Sequence, residues 1–482
     1  MKVHIIPLAI LIIYTLITLI VANFALRRRL GADHFLVAGR ALPVPLVTAV
    51  ILGDCLGGAA TLGVAQRGYN EGIVGWIFTV SQCTALFVLA FTVAARYRKF
   101  RAVTIAEIVG RVFDARARLI SAISVGMVYY VAGIVQVISG GALLAPLLGI
   151  DKWLADLIIA IVFIIVTVAG GLASIAIVNI MQCVVICLGT LLSVLYSLSF
   201  IAGSVPAGMA RLYRELPATF WSFQAVNPFI WSGEILTVVF SFFAAQAVIT
   251  GMFAAKDEEA AVRGTWISAA FILPIGAGYV IIGMCARIFY GPSLPGGLTA
   301  APAMMLALNP IIAGIALCGL LAALISTGPI CFLTPTQIIM RDLYRAYIVP
   351  DASDKAVLLL SRIFTIIFIL SGWILGNTMY DILGATLWAF TLRLGIGVLL
   401  LTIIYMGTKW ISEDGAFWGF ICGFLALILW MLLDRPYGIH ESFPTMVAVF
   451  IGGIVISGFR KRKTELSEEV KRALQAREWG KR

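Results

Sequence analysis

Apolar residues fill this chain in long unbroken runs, and the polar residues gather in short clusters between them. Runs of about 20 apolar residues, the length an α-helix needs to cross a hydrocarbon core of ~30 Å, occupy residues 5–26, 43–65, 72–95, 119–149, 153–170, 174–203, 229–253, 265–290, 309–340, 356–376, 380–406, 415–433 and 442–459. The pattern predicts an all-α polytopic membrane protein of about thirteen transmembrane helices. These form a single transmembrane domain over residues 1–463, and residues 464–482 form a short charged tail, too short to be a catalytic or signalling domain.

The polar clusters set the expected topology. The first run is followed, not preceded, by its positive charges Arg27, Arg28 and Arg29, which marks an uncleaved anchor with the N-terminus outside. An odd number of spans then places the basic loops 27–40, 96–118, 256–263 and 341–345, Lys409 and residues 460–463 in the cytoplasm together with the C-terminus, in agreement with the positive-inside rule. The expected location is the cell (plasma) membrane, multi-pass, with the lipid bilayer as the main partner. Hydrophobic residues make up 61% of the chain and charged residues only 12%, which excludes the soluble classes. The formal charge of +11 resides in those short loops, so it reads as a topology determinant and no nucleic-acid partner is expected; no soluble protein partner is evident. All eight cysteines fall inside spans without a CxxC, and the three histidines lie in loops or at the terminus. With no Walker loop and no HExxH, ATP-driven pumping and zinc proteolysis lose their signatures, and the chain is not expected to be an enzyme.

Candidate chemistry appears where polar groups interrupt the apolar runs. In GLLAALISTGPICFLTPTQIIMRDLYR, residues 319–345, the i, i+3, i+4 spacing puts Ala323, Ser326 and Thr327 on one face of a membrane helix. Two hydroxyls and a carbonyl with a spare lone pair are uncharged oxygens suited to a small hard cation such as sodium. The competing reading is that the hydroxyls bond back to carbonyls one turn earlier. Pro329 and Pro335 free the carbonyls of Ile325 and Cys331, and a kink absorbed by packing is favoured over a further ligand at Ile325. The second span carries Gly53, Asp54, Gly57 and Gly58 in its middle, which predicts a broken helix lining a wet cavity. Such a break fits a plan of two inverted five-helix repeats, here about residues 43–203 and 229–406, with the site at the midplane between their first helices. The matching seventh span, VVFSFFAAQAVITG, has no central glycine or proline, so its break is assumed. Asp54 and Arg393 are the full charges nearest the membrane centre. Each would cost about 2.5–3.5 kcal/mol unpaired, so they either pair with each other or serve the cation and the solute. Three buried amides are either glue between helices or part of the solute cavity. Glue is favoured for Gln136 and Gln182, while Gln246 is evenly poised because its helix should face the site.

DHFLVAGR before the second span, TIAEIVGRVFDARAR after the third, GGLASIAIVNIMQ at the fifth and sixth, AAKDEEAAVRG after the seventh, GLLAALIST with RDLYR at the ninth and GTKWISEDGAFWGFICG near the end together resemble the sodium:solute symporter family, which contains bacterial proline, pantothenate and sodium–galactose transporters. The resemblance covers roughly residues 30–425 and implies a leucine-transporter-like inverted five-plus-five fold. It implies that the Ser326 and Thr327 side chains and the Ala323 carbonyl bind sodium, the coupling ion, together with two carbonyls of the broken helix. Aligned on Gly63, those carbonyls belong to Gly53 and Leu56. The departures matter too. Cys55 stands where the proline transporter has its functional aspartate, with Asp54 one position earlier, and Asn179 stands where many relatives have aspartate. Ala60 and Thr79 occupy the positions of a sugar-binding glutamine and glutamate, and Ala245 and Ala247 those of an asparagine and a gating tyrosine, so sugar transport is disfavoured.

The expected function is sodium-coupled secondary active symport, importing a small organic solute (an amino acid, carboxylate or vitamin-like molecule) by alternating access. Asp54, Cys55, Ala60, Thr79, Gln82, Gln246 and Arg393 are the solute and coupling candidates. The alternatives are a proton-coupled symporter using Asp54, or a transport-inactive receptor or channel of the same fold. One charge crossing 100 mV supplies about 2.3 kcal/mol and a tenfold ion gradient about 1.4, enough for roughly several-hundred-fold accumulation per sodium ion.

Overall fold

The computed structural model describes residues 5–26, 38–295, 298–378, 382–406, 410–462 and 465–474. Arg27–Arg29, most of DHFLVAGR and Lys409 lie outside the described residues. Helices carry the whole described structure: α1 (Ile5–Leu26), α2 (Val44–Cys55), α3 (Val64–Glu71), α4 (Ile77–Thr92), α5 (Ala94–Phe100), α6 (Ile105–Val112), α7 (Ala115–Leu148), α8 (Lys152–Ala202), α9 (Val205–Glu215) and α10 (Pro228–Phe242) make up the first half. The second half comprises α11 (Gln246–Ala254), α12 (Glu258–Tyr290), α13 (Ala300–Leu306), α14 (Pro310–Ile338), α15 (Asp354–Gly376), α16 (Ile382–Met406), α17 (Glu413–Leu432), α18 (Ser442–Phe459) and α19 (Glu468–Leu474). Among the described residues there is no strand, as expected for backbone that must satisfy itself in lipid.

Eleven described helical segments are long and apolar enough to cross a membrane. The difference from thirteen arises at two places. The short α2 stops halfway, and α8 is one helical segment where two spans were expected. Ile159 packs on Gly140, next to the contact of Ser139 with Gly58 and Leu324, while Gly189 meets Gly319 little more than a turn before Leu324. A straight helix would hold residues 159 and 189 about 45 Å apart, so α8 bends between them.

The centre belongs to α2, α3 and α14. Every residue of α14 from Ala316 to Ile338 is buried, as are Val47–Gly53 of α2. A helix apolar on all sides must be wrapped by others, and α1, α7, α8, α11 and α12 supply the wrapping.

The two faces of the bundle are closed by polar contacts. On the face of the basic loops, Leu42 N–H bonds Ala254 O and Lys256 N–H bonds Leu42 O, each at 2.9 Å, so the start of α2 is tied to the end of α11. Here the TIAEIVGR motif is a capping box: Thr104 accepts from Glu107 N–H and Glu107 accepts from Val103 N–H, each at 3.1 Å. Burial pushes the Glu107 carboxyl up, but Arg341, the Val103 N–H and Arg111 together hold it below its ordinary range. The tail helix α19 docks on this face with Val470 and Ala473 buried, and Arg96 donates to Leu474 O at 3.0 Å. On the opposite face Arg67 of α3 pairs with Glu234 of α10 at 2.7 Å and with Glu71 at 2.8 Å.

Candidate functional site

The first break lies where the glycines predict it. The α2 helix ends at Leu56, whose φ of −98° and ψ of 39° leave the helical region, and the chain resumes through a π-helical turn over Ala59–Gly63. A Cβ at Gly53, Gly57 or Gly58 would collide with Asn179, with Gln136 and Thr327, or with Ser139 respectively, so these glycines serve close approach. Ending a helix leaves the carbonyls of its last turn without partners. Side chains from two other helices meet them, Thr327 Oγ1 donating to Gly53 O at 2.5 Å and Gln82 Nε2 to Cys55 O at 3.2 Å, while beyond the break Gln136 Oε1 accepts from Gly58 N–H at 2.7 Å.

The α14 helix presents its hydroxyls to this break. Ser326 Oγ donates to Ala323 O at 2.9 Å, a bond back into its own helix; the hydroxyl keeps lone pairs, and the second lone pair of the Ala323 carbonyl is released when the hydroxyl proton turns away. Thr327 instead reaches across to α2. Thr327 Oγ1 thus meets Gly53 O and Ser326 Oγ meets Ala323 O, two buried pairs of uncharged oxygens carried by consecutive residues of α14, with Leu56 at the broken end of α2.

The second break falls at Phe243–Ala245, between α10 and α11, where Ala245 has φ −74° and ψ 87°. With no glycine or proline in the segment, its cause is tertiary. Tyr97 donates to Phe243 O at 2.7 Å, and the Tyr129 hydroxyl accepts from Ala247 N–H at 2.9 Å. Gly397 of α16 lies so close to Phe240 O that any side chain there would collide.

Between the two breaks lies a cavity of about 30 Å³, room for about two waters, walled by Phe78, Phe242 and Phe390. Asp54, Cys55, Ala60, Gln82 and Arg393 all line it, as do Tyr129 and Gln136. Asp54 and Arg393 are not bonded directly. Tyr129 donates to Asp54 Oδ2 at 3.1 Å, and the Arg393 guanidinium lies over the Tyr129 ring, 5.1 Å from its centre, and over Phe390 at 4.5 Å. Arg393 Nε donates to Ser241 Oγ at 2.5 Å, while its Nη1 is shielded from solvent without a partner. A second cavity of about 460 Å³, lined among others by Leu62 and Leu387, holds Arg67, Glu234 and Arg435.

Thr79 and Gln246 stand apart from this cavity. Thr79 bonds Trp76 O at 3.1 Å and packs on Gly276. Gln246 accepts from Ile105 N–H at 2.7 Å and donates to Val103 O at 2.9 Å, fastening α11 to the start of α6. Gln246→Ala would leave both backbone groups unpaired, at about 1–3 kcal/mol for each buried group. It is therefore expected to lower the melting temperature without changing apparent solute affinity; uptake kinetics beside thermal unfolding check this, and a raised KM at unchanged stability would put Gln246 in the site. Tyr129 is a cavity residue that the sequence did not single out, because nothing in the apolar run of α7 marks which of its faces turns inward, whereas Gln136, for which glue was favoured, both bonds Gly58 N–H and lines the cavity.

The sequence profile of the sodium:solute symporter family matches residues 35–423. The chain is similar to the osmoregulated proline transporter OpuE of Bacillus subtilis, at 22% identity over 94% of this chain and 95% of that one. It is 23% identical to the high-affinity proline transporter PutP of the same organism, over 91% and 95% of the two chains. Among solved structures, a Na+-coupled sialic acid symporter superposes with a TM-score of 0.82 at 18% identity, covering 96% of this chain and 99% of that one. Mhp1, a nucleobase-cation-symport-1 family transporter, gives 0.60 at 14% identity over 91% and 97%. The fold is thus the leucine-transporter-like one, a transporter and not an enzyme. With the family profile spanning most of the chain, and with hydroxyls of α14 set against a helix broken at its glycines, the chain belongs to the sodium:solute symporter family.

Proposed function

We propose that the protein imports a small zwitterionic solute of the amino-acid kind together with sodium across the cell membrane, with its N-terminus outside. The observation that carries this reading is the contact of Thr327 Oγ1 with the freed Gly53 carbonyl, next to a cavity that holds one carboxylate and one guanidinium. Gly53 O, Leu56 O, Ala323 O and the Ser326 and Thr327 hydroxyls would hold sodium. Asp54 would receive the solute's ammonium group, and the free Nη1 of Arg393 its carboxylate, through a charge-assisted bond. The proline named for two relatives and the sialic acid named for a structural neighbour both carry a carboxylate, in keeping with Arg393. The aromatic wall and the small volume disfavour sugars, which need a ring of polar groups.

Leu62 and Leu387 line the larger cavity, and the Leu42–Ala254 and Lys256 bonds tie α2 to α11 on the face of the basic loops. Admitting a solute requires these contacts to open alternately, never on both sides together, which is the essence of alternating access. The test is uptake of labelled amino acids, beginning with proline, into proteoliposomes under an imposed sodium gradient. Sodium-dependent accumulation is expected. Uptake driven by a proton gradient and indifferent to sodium would move the coupling role to Asp54 protonation, and no uptake of any solute would leave a transport-inactive receptor.

A further inference from the structure

We infer that Tyr129 is the positioning residue that transmits sodium binding at the first helix break to the geometry of the second. The inference rests on the proposed sodium site and adds to it a route by which the ion governs solute binding.

A phenolic hydroxyl has one proton to give and lone pairs to receive. Tyr129 spends the proton on Asp54 Oδ2, at 3.1 Å, and receives the Ala247 N–H, at 2.9 Å. Asp54 follows Gly53 in the last turn of α2, just before the first break at Leu56, and Ala247 lies in the first turn of α11, beyond the second break. A single atom therefore joins the broken ends of both helices, and it does so from α7, which itself has no break. Its ring carries the Arg393 guanidinium on one face, 5.1 Å from the ring centre. The residue is 2% exposed, so water does not compete for these bonds, and in low dielectric each strengthens the other.

The consequence follows from the geometry. Gly53 O is held by Thr327 at 2.5 Å, and an ion drawing on that carbonyl fixes the last turn of α2 and with it the direction of the Asp54 carboxylate. Tyr129 follows the carboxylate, the Ala247 N–H follows the hydroxyl, and the start of α11 is set. The ring in turn places Arg393. Sodium at one break thereby orders the carboxylate, the guanidinium and the second break together, before any solute arrives. Two sites that share a bonded element in this way must show a coupling free energy, and the coupling acts in both directions.

Hydrogen–deuterium exchange of the full-length protein in nanodiscs, in sodium chloride against choline chloride, reads the effect without any solute. In the wild type, sodium is expected to slow exchange at both breaks, residues 53–58 and 243–250, by about fivefold or more, the lower end of ordinary coupling factors. Tyr129→Phe keeps the ring under Arg393 but removes the shared atom, so slowing should persist at the first break and vanish at the second. Ala247→Pro removes the same bond from its other end, at a first-turn position that tolerates proline, and should give the same split. Ser124→Ala removes a different interhelical bond of α7, Ser124 to Leu392 O at 2.7 Å, and should preserve slowing at both breaks. Retained slowing at the second break in both Tyr129→Phe and Ala247→Pro overturns the inference, as does wild-type slowing confined to the first break, which leaves the sodium site standing. A wild type unresponsive at either break defeats the sodium site itself and the inference with it.

Discussion

Asp54→Asn is expected to lower sodium-driven uptake by about two orders of magnitude at low solute concentration while the protein stays folded. The carboxylate is the one full negative charge in the wall of the central cavity, and asparagine matches it in size. An amide oxygen can still accept the Tyr129 hydroxyl, so the packing around the first break survives the change. What is lost is a charge-assisted bond to an ammonium group, worth about 1.5–3 kcal/mol, or roughly a ten- to hundredfold drop in affinity. The fate of Arg393 separates this reading from a structural ion pair. If the two charges held the helices together, removing either would leave the other orphaned, and the double variant Asp54→Asn, Arg393→Gln would regain stability. The geometry argues against that, because Arg393 is held by Ser241 and by two ring faces while Asp54 is held by Tyr129. Arg393→Gln should therefore weaken the binding of carboxylate solutes, and the double variant should transport no better than Asp54→Asn alone. Thermal unfolding and uptake measured on all three variants decide the matter: recovery of both stability and transport in the double variant would return the pair to a structural role.

Not every feature of the site announces itself along the chain. The first break can be read because its cause is local: Gly53, Gly57 and Gly58 sit in one short stretch and have no side chains to fill the space that Asn179, Gln136 and Ser139 take. The second break cannot, because FSFFAAQA is as helical in propensity as its surroundings, and what bends it are hydroxyls from Tyr97 and Tyr129 and the bare backbone of Gly397, all distant in sequence. The hydroxyls of α14 are legible for the same reason as the first break, since a three- and four-residue spacing within one helix fixes a common face. Which oxygens they meet is a tertiary matter: Ser326 turns back to Ala323, and Thr327 crosses to Gly53. Two intramembrane charges in an apolar sequence invite each other as partners, yet an aromatic ring stands between them, and no count of charges would have placed it there. Gln246 and Gln136 show the same limit. Both are amides in apolar spans, but one fastens a loop and the other reaches the break, and only the neighbouring helices distinguish them.

Thr327→Ala and Ser326→Ala are both expected to raise the sodium concentration for half-maximal transport, and by different amounts for a structural reason. Each removes one uncharged oxygen from a site built of such oxygens, and a ligand to a full charge contributes about 1.5–3 kcal/mol, or roughly ten- to hundredfold in apparent sodium affinity. Ser326 bonds only within its own helix, so its loss leaves the Ala323 carbonyl with the ordinary helical bond and the bundle undisturbed. Thr327 also ties α14 to the broken end of α2 at 2.5 Å, so its loss leaves the Gly53 carbonyl without that partner in a buried setting. Thr327→Ala should accordingly shift sodium dependence more than Ser326→Ala and lower the melting temperature as well, whereas Thr327→Ser, which keeps the oxygen, should restore both. At saturating sodium the solute KM of Ser326→Ala should approach that of the wild type, because the ion site and the solute cavity share Thr327 but not Ser326. Wild-type sodium dependence in both alanine variants would show that these hydroxyls bond only to the protein and that the cation is held elsewhere.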